Sequence, residues 1–136
     1  MLTRIKPQFR GLLNVPMSSP APSCEALSQE VRQLVDAGVP ILAGTDAPAP
    51  GSAHGASLHW ELEHLVEAGM TPTAALAAAT SMPVHTFRMA DRGRIAPGLR
   101  ADLLLVEGDP SRDIRTTRRI VAVWKRGVRL AESSQP

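Results

Sequence analysis

One short stretch of the chain, "GTDAPAPGSAHGASLHWELEH" at residues 44–64, carries Asp46, His54, His59, Glu61 and His64. Carboxylate oxygens and imidazole nitrogens are the donors that zinc or manganese accept, and three of them leave room for a water. Asp46, His54 and His59 form one candidate cluster. Asp46 follows a short apolar run and could hold a catalytic water, or simply cap the loop after it. His54 lies between Gly51 and Gly55, free to turn toward a metal or a substrate, or to be an ordinary loop histidine. Glu61 and His64 form a second candidate, an E-x-x-H pair of the kind that builds metal sites between packed helices. Its plainer reading is an exposed helix face with i,i+3 pairing. His59 and His64 fall about 140° apart on a helical wheel, so one helix cannot easily offer both to the same ion. A bound divalent ion brings the pKa of a coordinated water to about 7 and polarises the group under attack.

The elements that must position these residues follow from spacing and stop signals. Ser23 sits where an N-cap belongs. Cys24, Leu27, Val31, Leu34 and Val35 follow at helical intervals, and Gly38 supplies the stop. Residues 39–43 are short, apolar on both faces and β-branched at the start, the pattern of a buried parallel strand. Leu58, Leu62, Leu65 and Val66 make the stripe of the next helix, which stops at Gly69. Thr71 and Pro72 pair as N-cap and first-turn residue for an alanine-rich helix that must pack closely. "MPVHTFRM" adds a further turn or two. Beyond Gly93 the pattern changes to three or four strands, with a tight turn near residues 125–127.

This divides the chain into an irregular lead-in over 1–23, containing a short strand near 11–15, then α/β units over 24–92, a small β region over 93–132 and a tail over 133–136. His85 lies outside the elements carrying the candidate site and reads as structural. Cys24 reads as a small core residue. One cysteine excludes an internal disulfide and fits a reducing, cytoplasmic compartment. A net charge of +2 argues against nucleic acid, and no apolar run approaches the roughly 18 residues of a membrane span.

Three stretches, "VDAGVPILAGTDAP", "HGASLHWELEHLVEAGMTPTAALAAAT" and "DRGRIAPGLRADLLLVEGDPSRDIRTTRRIVAVWKRGV", resemble in type and order the C-terminal part of the amidohydrolase superfamily, most closely its prolidase- and imidazolonepropionase-like branch. The resemblance covers about residues 24–130. It implies an α/β fold: the last one or two βα units of a (β/α)8 barrel, followed by a small β-sandwich-type strand region. Residues 41–45 would be the eighth strand, 58–68 the eighth helix and 101–130 the sandwich strands. Asp46 matches the family's aspartate at the end of that strand, which binds metal and shuttles the proton of the attacking water. The family's His-x-His pair, and its ligands on the fourth, fifth and sixth strands, have no counterpart in this sequence.

The reading at this stage is a metal-dependent hydrolase using zinc, with manganese the alternative. Asp46 and His59 are its catalytic residues and His54 its substrate contact. Asp46, His54, His59, Glu61 and His64 are the metal donors. An incomplete barrel leaves strand edges and an apolar face that self-association would cover, so a homo-oligomer is expected to complete the site. A wide site of this kind suits activated esters and phosphate di- or triesters as small-molecule substrates. The alternative is a non-catalytic fragment, or one half of a split enzyme.

Overall fold

The computed structural model describes residues 23–47 and 52–131. The lead-in up to residue 22, its expected strand near 11–15, the tail over 133–136 and the side chain of Cys24 lie outside the described residues.

Helix α1 spans Cys24–Asp36, α2 Ala56–Glu67, α3 Pro72–Ala79 and α4 Ser81–Thr86. The Ser23 hydroxyl accepts from the Ala26 amide and the Thr71 hydroxyl from the Ala74 amide, each satisfying a first-turn donor. The helix stops share one device. The Gly38 and Val39 amides donate to the Val35 and Leu34 carbonyls, and the Gly69 and Met70 amides to those of Val66 and Leu65. This is the Schellman arrangement, and Gly38 (φ 66°) and Gly69 (φ 108°) supply the left-handed residue it requires.

The core gathers Leu62 and Leu65 of α2, Ala75 and Ala78 of α3, and Ile114. Ala75 and Ala78 are 0 % exposed, so α3 lies against its neighbours at a distance no larger side chain would allow. Ile114 opens a 3-10 helix, Ile114–Arg118, whose N-cap Asp113 accepts from the Arg115 amide. Its buried Thr116 and Thr117 return their hydroxyl protons to the Asp113 and Ile114 carbonyls, leaving neither group unpaired.

Strands β1 (Leu103–Val106), β2 (Ile120–Lys125) and β3 (Val128–Arg129) form one antiparallel sheet in the order β1-β2-β3. The turn between β2 and β3 has Arg126 at φ 53° and Gly127 at φ 79°. Two successive positive φ angles match the twist of a two-residue hairpin. Leu105 faces Ala122 whereas Val106 faces Ile120, so Val121 is the extra residue of a bulge. Residues directly opposite one another share a face. Leu105 on one face and Leu104, Ile120 and Val128 on the other all stand at least 48 % exposed, so both faces present apolar side chains.

Two expectations need correction. Residues 41–45 belong to no helix and no sheet among the described residues. A parallel strand is defined by its neighbours, and among the described residues the backbone bond that anchors this segment to another element runs from the Ala43 amide to the Ala78 carbonyl, 3.0 Å. Ile41 and Ala43 still pack on the core as the buried-strand pattern requires. The strand region is likewise a single three-stranded sheet among the described residues, with no second layer. No helix among the described residues is long and apolar enough to cross a membrane.

Candidate active site

Asp46 follows the segment that Ile41 and Ala43 fix to the core. Its backbone is left-handed, φ 50°, a conformation aspartate tolerates better than most residues. The Thr45 hydroxyl accepts weakly from the Ala47 amide at 3.4 Å, bending the chain directly after Asp46. The carboxylate-bearing residue is exposed. His54 is also exposed, in the turn leading into α2. There Gly55 takes φ 78°, and the Ser57 hydroxyl accepts from the Ala53 amide at 2.8 Å to fix the helix entry.

His59 is partly buried on α2 and looks toward the 3-10 helix. Burial and the Arg118 guanidinium hold its imidazole below the usual value, while Glu63 pulls the other way. Its Nδ1 is buried and meets no hydrogen-bond partner among the described residues. Glu63 lies against Arg118, Oε1 to Nε 2.7 Å, in an ionic contact whose angles do not make a hydrogen bond. Arg118 also stands over the Trp60 ring, 5.7 Å from its centroid. Glu63 was visible in the sequence as the i+4 neighbour of His59. Arg118 and Trp60 were not, because the contact joins distant segments and no local pattern announces it. A neutral imidazole beside this ion pair keeps its lone pair, which is the form a metal or a proton requires.

His64 turns its Nδ1 to Glu67 Oε2 at 3.1 Å, with both side chains 70 % exposed. This is the i,i+3 pairing of a solvated helix face, made to Glu67 and not to Glu61. His85 is exposed at the end of α4.

Among the described residues no three His, Cys, Asp or Glu side chains converge to hold a metal ion. Asp46, His54 and His59 are therefore not gathered into one centre, and Glu61 and His64 gain no third donor. The donor types suit zinc, but the described residues do not by themselves fit the ion.

The chain matches the model of the amidohydrolase family over residues 25–130. It is 38 % identical over 103 residues to imidazolonepropionase of Deinococcus deserti, a match covering 73 % of this chain and 26 % of that protein. Among solved structures it is similar to a Xaa-Pro dipeptidase with methionine bound in its active site. There the TM-score is 0.71 at 32 % identity, covering 79 % of this chain and 26 % of the other. It is also similar to phenylurea hydrolase B, with a TM-score of 0.63 at 32 % identity, over 74 % of this chain and 26 % of that one. The chain thus spans about a quarter of the length of these relatives. A core that ties α2, α3 and the 3-10 helix together behind the Asp46 loop, matched over most of its length by one family model, identifies this chain as a member of the amidohydrolase family.

Proposed function

We propose that this chain supplies the aspartate arm of a metal-dependent hydrolase acting on carbon–nitrogen bonds. The observation that carries the reading is the position of Asp46: exposed, left-handed, at the end of a segment held on the core by Ile41 and Ala43, within the span matched by the family. Barrel enzymes place catalytic groups at the carboxyl ends of their strands. A carboxylate there can orient the attacking water and take its proton, then return it to the departing nitrogen as the carbon–nitrogen bond breaks.

A dipeptidase and a phenylurea hydrolase among the relatives favour carbon–nitrogen cleavage. We place it ahead of the ester and phosphate di- or triester hydrolysis that an open site would also accommodate. Zinc is the ion of this reading and manganese the alternative. Asp46 is the donor offered by this chain at the end of the 41–45 segment, and His54 and His59 are the imidazoles nearest to it in sequence. Further donors come from polypeptide beyond the described residues. We assign that role to self-association, which the apolar side chains open on both sheet faces would favour. His54 remains the proposed substrate contact, and Asp46 and His59 the proposed catalytic residues.

The test is hydrolysis of an aminoacyl p-nitroanilide, a p-nitrophenyl ester and bis-p-nitrophenyl phosphate by the zinc-loaded chain and its Asp46→Asn variant. Anilide turnover that disappears in the variant supports the proposal. Turnover equal in both proteins, or its absence from the parent, removes it.

A further inference from the structure

An open cleft of about 730 Å³ lies at the end of α4, lined by Val84, His85, Thr86, Arg88, Met89 and Ala90, of which His85, Thr86, Arg88 and Ala90 are exposed. Its volume falls within the roughly 300–1,000 Å³ of small-molecule sites. Three features of its lining point to a ligand.

The first is backbone strain. The Met89 amide donates to the Val84 carbonyl at 2.9 Å and the Arg88 amide to His85 at 3.4 Å, so α4 ends as α1 and α2 do. Here, however, the left-handed position belongs to Arg88, φ 55°, and not to a glycine. An arginine in that conformation costs stability that glycine would not, and strain of this kind persists where something else requires the side chain.

The second is the donor set. The Arg88 guanidinium, the His85 imidazole and the Thr86 hydroxyl make no side-chain hydrogen bond or ion pair with any described residue. A guanidinium is a planar fork of donors, a hydroxyl donates one proton, and imidazole donates at least one whatever its tautomer. All three line the same cleft, and each is a donor that a tetrahedral oxyanion accepts. The helix-end carbonyls of Pro83, Val84 and His85 already accept from the Phe87, Met89 and Arg88 amides, so three of the carbonyl oxygens at this helix end are turned to internal partners.

The third is charge. No carboxylate lines the cleft. The nearest in sequence, Asp91, is bound on both oxygens by Arg92, at 2.7 and 3.0 Å. Val84 and Met89 give the cleft an apolar wall beside its cationic donors.

We propose that this cleft binds the phosphoryl group of a small phosphate monoester, with Arg88 as the principal contact, His85 and Thr86 as supporting donors, and Val84 and Met89 against the organic part. The site is independent of the Asp46 proposal and survives its failure.

The test is titration of the full chain with phenyl phosphate and, separately, inorganic phosphate, followed by amide chemical shifts. The variants Arg88→Gly and Arg88→Gln are compared with Arg112→Ala, which alters an exposed arginine elsewhere. Saturable shifts confined to residues 84–90 are expected. Affinity should fall about tenfold or more in both Arg88 variants, the loss of at least one charge-assisted hydrogen bond, and stay unchanged in Arg112→Ala. Arg88→Gly should melt at a higher temperature than the parent, because it relieves the backbone while removing the contact. Tighter binding of phenyl phosphate than of inorganic phosphate would identify a monoester; equal binding would identify free phosphate at the same site. Absence of saturable shifts, or an Arg88→Gly variant that binds as well as the parent, overturns the proposal.

Discussion

Two glycine-to-alanine substitutions, chosen at the same kind of backbone but in different surroundings, test the packing of the chain quantitatively. Gly93 has φ 86° and Gly127 has φ 79°, so alanine at either position is forced into the left-handed region. That conformation costs about 1 kcal/mol for a residue bearing a Cβ. The surroundings then separate them. At Gly127 an added Cβ meets nothing within 4 Å. At Gly93 it would overlap Val84 Cγ2, and would stand 2.8 Å from Val84 Cβ and 3.0 Å from the Thr80 carbonyl oxygen. Val84 is held by α4 and the Thr80 oxygen is backbone, so neither can yield cheaply. Overpacking of this kind costs about 1–3 kcal/mol. Gly93→Ala should therefore lose about 2–4 kcal/mol and Gly127→Ala about 1 kcal/mol. Urea unfolding followed by circular dichroism reads both, with the denaturant slope expected to stay constant between variants. Equal losses, or a larger loss at Gly127, would refute the packing of the Gly93 turn onto α4.

Replacing Ile114 with alanine should cost about 2–5 kcal/mol, because a buried side chain shared with Leu62 and Leu65 leaves a cavity; the same urea titration checks it. His59 should titrate below 6.5 by NMR, moving up in Arg118→Gln and further down in Glu63→Gln, in keeping with the signs of those two charges. Since its folded-state value lies below its unfolded one, the unfolded chain binds the proton more readily. The stability contributed by neutral His59 is fully present above pH 6.5 and is lost as the pH falls from there through the folded value. A His59→Gln variant should lack that component of the acid-side decline in melting temperature.

Local signals were legible in the sequence because the forces behind them are local. Ser23 and Thr71 cap where a hydroxyl must meet an orphan amide, Gly38 and Gly69 stop helices where a left-handed residue is required, and Arg126–Gly127 turns where two positive φ angles are needed. The stripe of Leu62 and Leu65 was read from its period and is buried. What the sequence could not show was partnership. A parallel strand at residues 41–45 depends on neighbours that a pattern of apolar residues does not supply, and the segment joins no ladder among the described residues. The pairing of His64 with Glu67 instead of Glu61 turns on rotamer choice between two carboxylates on one helix. Arg118 reaches Glu63 and Trp60 only because Ile114 carries the 3-10 helix onto α2, a tertiary event. The left-handed Arg88 was hidden because nothing in "HTFRMA" marks a helix stop in the way glycine does.

The central claim is that Asp46 belongs to a metal-dependent site which the described residues of one chain do not complete. Zinc per chain, measured by plasma mass spectrometry across the separated peaks of a size-exclusion column, tests it most directly. Zinc is expected in an associated species and little in the monomer, with Asp46→Asn retaining the association and losing the metal. Stoichiometric zinc on the monomer, zinc unaffected by Asp46→Asn, or an associated species that takes up none when zinc is supplied would contradict it.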